Sequence, residues 1–72
     1  MYYLLFTKLD TGIVLNPDAQ TRNLNGIYAD PYVPVATRME ADSRAQEVFR
    51  QISTVEISLF NEEKQCLQRL LP

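Results

Sequence analysis

The chain opens on five consecutive apolar or aromatic residues, Tyr2, Tyr3, Leu4, Leu5 and Phe6. Read with period two, Tyr2, Leu4 and Phe6 form one face and Tyr3, Leu5 and Thr7 the other. This predicts a strand with two apolar faces, which needs cover on both sides. Asp10-Thr11-Gly12 follows as a turn, with Gly12 at the positive-φ position of a tight hairpin. Ile13, Val14 and Leu15 predict the return strand, and Asn16-Pro17 stops it. The chain is expected to start inside this β-hairpin, with no leader ahead of it.

Residues 16–37 have no clear period. Pro17, Pro31 and Pro34 fall here, with Asn16, Asn23 and Asn25. Asn25-Gly26 is a strong turn signal, so residues 21–24 and 27–29 are read as a minor hairpin. The other reading is a binding loop, since long connections without structure are usually functional. A helix comes next. Two capping boxes compete for its start, Thr37 with Glu40 and Ser43 with Gln46, and Asp42 is a further N-cap candidate. Ala41, Ala45, Val48, Phe49 and Ile52 form one apolar stripe.

Residues 54–60 alternate, with Val55, Ile57 and Leu59 inward and Thr54, Glu56 and Ser58 outward. Asn61 then reads as the cap of a last short helix, with Glu62 and Glu63 suited to the positive end of its dipole. Cys66, Leu67, Leu70 and Leu71 would be its buried edge. The fold expected is a small two-layer α+β domain in a single unit, residues 1–72. Its order is β-β-(loop or minor hairpin)-α-β-α. An antiparallel sheet of the N-terminal hairpin and strand 54–60 packs against two helices.

Size changes what this fold can hold. A single thin core of 72 residues rarely supplies more than about 3–5 kcal/mol without a staple. Cys66 is the only cysteine and there is no histidine, so an internal disulfide and a Cys/His zinc site are both excluded. Self-association or a partner is the staple left. The net charge of −2 is evenly spread, which does not support general attraction to nucleic acid or anionic lipid. Nor are nine carboxylates enough for an acidic DNA mimic. The apolar opening lacks a positive n-region and is interrupted by Lys8 and Asp10, so it is not read as a signal peptide. No apolar stretch approaches the ~20 residues of a membrane span. A reducing cytoplasm is the compartment expected.

Candidate chemistry is sparse. Without histidine, the commonest general base is missing and a serine or cysteine nucleophile lacks its usual activator. Cys66, on the apolar stripe of the last helix, reads as a buried structural thiol. Glu62 and Glu63, like Glu40 and Asp42, are explained as helix-start acids. With only Gly12 and Gly26, neither a P-loop nor a dinucleotide fingerprint can form. Arg38, Arg44 and Arg50 step by six residues and so spread around the helix. They form no nucleic-acid face. No cofactor, metal or catalytic residue is expected, and the chain is read as non-enzymatic.

Two binding surfaces remain. Tyr28, Asp30, Tyr32 and Val33 lie in an extended, proline-bounded stretch, where tyrosines suit interface hot spots. Pro31 to Pro34 formally matches P-x-x-P, but Ala36 stands where such ligands carry arginine. The second surface is Tyr3 and Leu5. If Tyr2, Leu4 and Phe6 pack on the helices, Tyr3 and Leu5 turn the other way, and 72 residues seldom make three full layers. The function expected is a small protein acting by protein–protein contact, of the kind phages and mobile elements use to inhibit a host protein. The alternatives are an obligate accessory subunit of a homo- or hetero-oligomer and a small nucleic-acid-binding regulator.

Overall fold

A computed structural model of the protein describes residues 1–23 and 30–72. The elements are β1 (Tyr2–Lys8), β2 (Val33–Val35), α1 (Arg38–Gln51), β3 (Val55–Phe60) and β4 (Cys66–Leu70). The four strands form one antiparallel sheet in the order β2-β1-β3-β4. The α+β, two-layer reading therefore holds, with one helix instead of two among the described residues. The minor hairpin expected around Asn25-Gly26 lies outside the described residues.

The central position of β1 follows from its sequence. Leu4 and Phe6 are fully buried against α1 and the rest of the core, while Tyr3, Leu5 and Thr7 point to the opposite face. β3 lies along one edge, in a register that sets Tyr3 opposite Phe60, Leu5 opposite Ser58 and Thr7 opposite Glu56. The alternation read from residues 54–60 survives intact: Val55, Ile57 and Leu59 are buried. The other edge of β1 is shared. β2 pairs with residues 2–4, and the return segment of the hairpin takes the remainder. That segment is shorter than a full strand. It bridges Thr7 with Val14, and Leu15 N–H donates to the Phe6 carbonyl (2.9 Å). Asn16-Pro17 halts it there, which leaves the far half of the edge to β2. Gly12 adopts φ 72° in the turn, as that position requires.

Val33 and Val35 are thus core residues on a sheet edge, with Pro34 between them facing away. A stretch expected to be an exposed extended loop is half strand, because alternation of valine with proline buries one side only. Helix α1 starts at the first of its two capping boxes. Thr37 Oγ1 accepts from Glu40 N–H (3.1 Å), and Glu40 Oε2 accepts from Ala36 N–H (3.1 Å). A start at Ser43 would have left Ala41 outside the helix, and Ala41 is completely buried.

The last segment departs most from expectation. Residues 61–72 form a tight turn and β4, not a helix. Asn61 does accept backbone N–H groups, from Glu63 and Gln65 (both 3.0 Å), but in a hairpin turn. Lys64 takes φ 62° there, a position usually left to glycine. Pairing β4 with β3 satisfies an edge that a helix would have left open, and this tertiary gain overrides local propensity. In consequence Cys66 and Leu67 are exposed, not buried, and only Leu70 leans on the core.

Residues 16–23 close into a compact loop stapled by side chains. Asp18 accepts from the N–H groups of Gln20 (2.9 Å) and Thr21 (3.0 Å) and from the Thr21 hydroxyl (2.8 Å). Asn16 Nδ2 donates to Thr21 Oγ1 (2.8 Å), and Asn16 Oδ1 accepts from Asn23 Nδ2 (2.9 Å). Ala19 is buried despite φ 61°.

Two outcomes follow. Leu4→Ala is expected to cost about 2–5 kcal/mol, comparable to the whole stability of so small a core. A cooperative thermal transition by circular dichroism should disappear or fall steeply. Second, the donors from Gln20 and Thr21 hold the Asp18 carboxyl below the usual carboxylate range. A depressed pKa means that the loop is stabilised above the ordinary carboxylate value and loosens as pH falls through the lowered one. Amide signals of Gln20 and Thr21, followed by NMR into acid, should shift together, and Asp18→Asn should flatten that response.

Candidate functional site

The sheet face opposite α1 carries no second layer of secondary structure among the described residues. On this face the two surfaces singled out from sequence become one. Tyr32, at the entry to β2, lies across the sheet between Tyr3 of β1 and Phe60 of β3. Its ring centroid is 6.3 Å from that of Tyr3, at 82°, and 5.5 Å from that of Phe60, at 84°. Both contacts are edge-to-face, the arrangement favoured by the ring quadrupoles. All three side chains remain partly accessible.

Lys64 closes the group from the β3–β4 turn. Its Nζ stands 4.3 Å from the Tyr32 ring centroid and 4.6 Å from that of Tyr3, so one ammonium lies over two aromatic faces. Lys64 takes this position from a backbone with φ 62°. Further along the same face, Glu56 and Arg69 pair at 3.0 Å. Leu5, partly buried, sits between this ion pair and the rings and opposite Ser58.

All but one of the residues singled out from sequence now have a place. Tyr3, Leu5 and Tyr32 share the open face. Asp30 is exposed, and its Oδ1 accepts from Tyr32 N–H (2.9 Å), so it fixes the turn that presents the ring. Val33 does not belong to the surface; it is buried beneath β2. Tyr28 lies outside the described residues. Phe60 and Lys64 were missed. A signal for Phe60 was present, because it falls on the outward parity of β3 with Glu56 and Ser58, where an aromatic is out of place. None existed for Lys64, which the expected helix had put elsewhere.

Charge around the rings is mixed, with acids in slight excess. Lys64 and Arg69 are offset by Asp30, Glu56, Glu62 and Glu63, with Glu62 paired to the Met1 ammonium at 2.8 Å. That ammonium, through its hydrogen bond and its charge, holds the Glu62 carboxyl below the usual range. Among the described residues no three of His, Cys, Asp and Glu converge as metal ligands would. No buried side-chain nitrogen or oxygen among them lacks a hydrogen bond. A shallow cleft of about 270 Å³ between the 16–23 loop and α1 is lined by Asp18, Arg44, Glu47 and Ile52 among others. No described helix is long and apolar enough to cross a membrane.

No family model, curated protein or solved structure matches this chain. The geometry of the open face therefore carries the functional argument alone.

The ammonium over the rings makes one outcome measurable. Lys64→Gln keeps the backbone demand and most of the side-chain length while removing the charge. It is expected to lower stability by about 0.5–1 kcal/mol, the worth of an exposed cation–π contact. Chemical denaturation would measure the loss, and the ring protons of Tyr3 and Tyr32 should shift in the NMR spectrum.

Proposed function

We propose that this protein is a non-enzymatic binding module that acts by protein–protein contact, and that its open sheet face is the contact surface. The observation that carries this reading is the convergence of Tyr3, Tyr32 and Phe60, from three separate segments, on a face with no covering layer among the described residues. Aromatic side chains concentrate binding energy at interfaces when they sit in a packed, partly desolvated group. Here the edge-to-face contacts hold the rings before any partner arrives, so little ordering cost is left for binding.

The partner's chemistry follows from the charge pattern. An apolar centre would meet the rings and Leu5, and a carboxylate near it would meet Lys64, whose charge faces outward. Arg69 is already answered by Glu56. A phosphate backbone suits this face poorly, because Asp30, Glu62 and Glu63 flank it and would oppose the approach. A module of this kind fits an inhibitor that occupies a functional surface of another protein, as many small phage and mobile-element proteins do.

The test pairs partner capture with a direct measurement. Tagged wild-type protein and the Tyr32→Ala/Phe60→Ala variant would be used in parallel, and a protein retained only by the wild type would be purified and titrated. At roughly 2 kcal/mol or more per hot spot, the double variant should bind at least about thirtyfold more weakly. Its circular dichroism should stay close to wild type, as both rings lie outside the core. Undiminished affinity in the double variant would remove this face from the reading. Tight, salt-sensitive binding to a nucleic-acid duplex would replace the reading with a nucleic-acid one.

A further inference from the structure

The two edges of the sheet are unlike. β2 is three residues long and centred on Pro34, which has no N–H to offer a further strand. β4 runs for five residues without proline or glycine. Among the described residues, no backbone hydrogen bond from a loop or turn reaches its outer side. Its surroundings are apolar. Leu67 is 42% exposed and Leu71 61%. Leu70 and Leu71 line a groove of about 200 Å³ with Ala45 and Phe49 of α1. The helix packs over β1, β2 and β3, and it also reaches β4 through Arg38, whose Nη2 donates to Gln68 Oε1 (3.2 Å).

We propose that β4 pairs antiparallel with β4 of a second copy, about a twofold axis at Gln68, joining two four-stranded sheets into one of eight strands. Charge compatibility admits a second copy as the occupant and disfavours the register centred on Arg69. β4 carries one charged residue, Arg69, which is neutralised within its own chain by Glu56. An axis at Gln68 sets Leu67 opposite Arg69 of the second copy and Cys66 opposite Leu70, with no like charges facing one another between the two strands. An axis at Arg69 would set the two guanidinium groups directly opposite one another, which is destabilising. Gln68 suits the axis. Its Oε1 is engaged by Arg38, and its amide N–H₂ is left to donate to the same oxygen of its symmetry mate.

Two copies also supply the staple that a single thin core of this size otherwise lacks. The pairing leaves Tyr3, Tyr32 and Phe60 uncovered in both copies, so it stands or falls independently of the docking face. One short strand pair with a few leucines is at the low end of interface sizes, so the dimer is reversible and of micromolar strength.

Sedimentation velocity of the full chain, from low micromolar to submillimolar concentration, tests the pairing. A concentration-dependent shift from monomer to dimer is expected. Leu67→Lys places a cation against Arg69 twice and should weaken the dimer at least tenfold. Leu67→Glu places an anion there and should retain the dimer with greater salt sensitivity. Under oxidising conditions, Gln68→Cys in a Cys66→Ser background should form a disulfide-linked dimer, and Leu9→Cys in that background should not. A monomer at every concentration would overturn the proposal. So would equal loss in the two Leu67 variants, or no excess crosslinking through position 68. Circular dichroism of each variant separates a broken dimer from a broken fold.

Discussion

The structure is organised around the demand of one strand. β1 has apolar side chains on both faces and hydrogen-bonding groups on both edges, so it must be surrounded on four sides. β3 satisfies one edge along nearly its whole length. β2 and the 13–15 segment divide the other edge between them. α1 covers Leu4 and Phe6. The fourth side, over Tyr3 and Leu5, receives side chains in place of an element: Tyr32 from the approach to β2 and Lys64 from the β3–β4 turn. The described residues give that side no third layer. The incomplete cover on that side is a direct consequence of placing a two-faced strand at the centre of a two-layer fold.

What could be read from sequence is what local periodicity and turn chemistry control. The alternation in 54–60, the stripe from Ala41 to Ile52, the Thr37 capping box and the stop at Asn16-Pro17 each depend on neighbours close in the chain. The structure reproduces the alternation, the stripe and the stop, and of the competing helix starts it takes the one at Thr37. What failed depended on distant partners. Cys66, Leu67, Leu70 and Leu71 fit a helical stripe as well as any, and Asn61 followed by two glutamates is good N-cap chemistry. The same asparagine serves a hairpin turn equally well, and the deciding factor was the unpaired edge of β3, which no local pattern reports. The glycine-like backbone at Lys64 hid the turn further, since lysine gives no warning of a positive φ.

The site shows the same division. Tyr3 and Tyr32 were legible separately, as an outward residue on an apolar strand and as a tyrosine in a proline-bounded stretch. Their meeting was not legible, because it follows from the register of β2 on β1, which sets Tyr3 opposite Pro34. Once that register exists, Val33 turns inward and Tyr32 is carried to the sheet face. One parity choice therefore separates a buried residue from an accessible one within two adjacent positions. Asp30, read as a contact residue, instead builds the turn that makes this choice possible.

The arrangement also explains why a cluster of rings can be exposed without collapsing. Tyr32 and Phe60 meet edge to face and cannot flatten onto one another without losing that contact. Lys64 adds a charge that keeps its hydration on one side while covering ring surface on the other. An ammonium held over tyrosines solubilises an apolar patch in the free protein and remains positioned to meet a carboxylate when the patch is covered. The flanking acids work in the same direction, since they keep the face from being uniformly cationic and so narrow what can approach it. Solubility alone and rapid release from wrong partners would have been served by a fully polar face. Retaining two tyrosines under a lysine with Phe60 beside them is instead what the proposed role as a contact surface would call for.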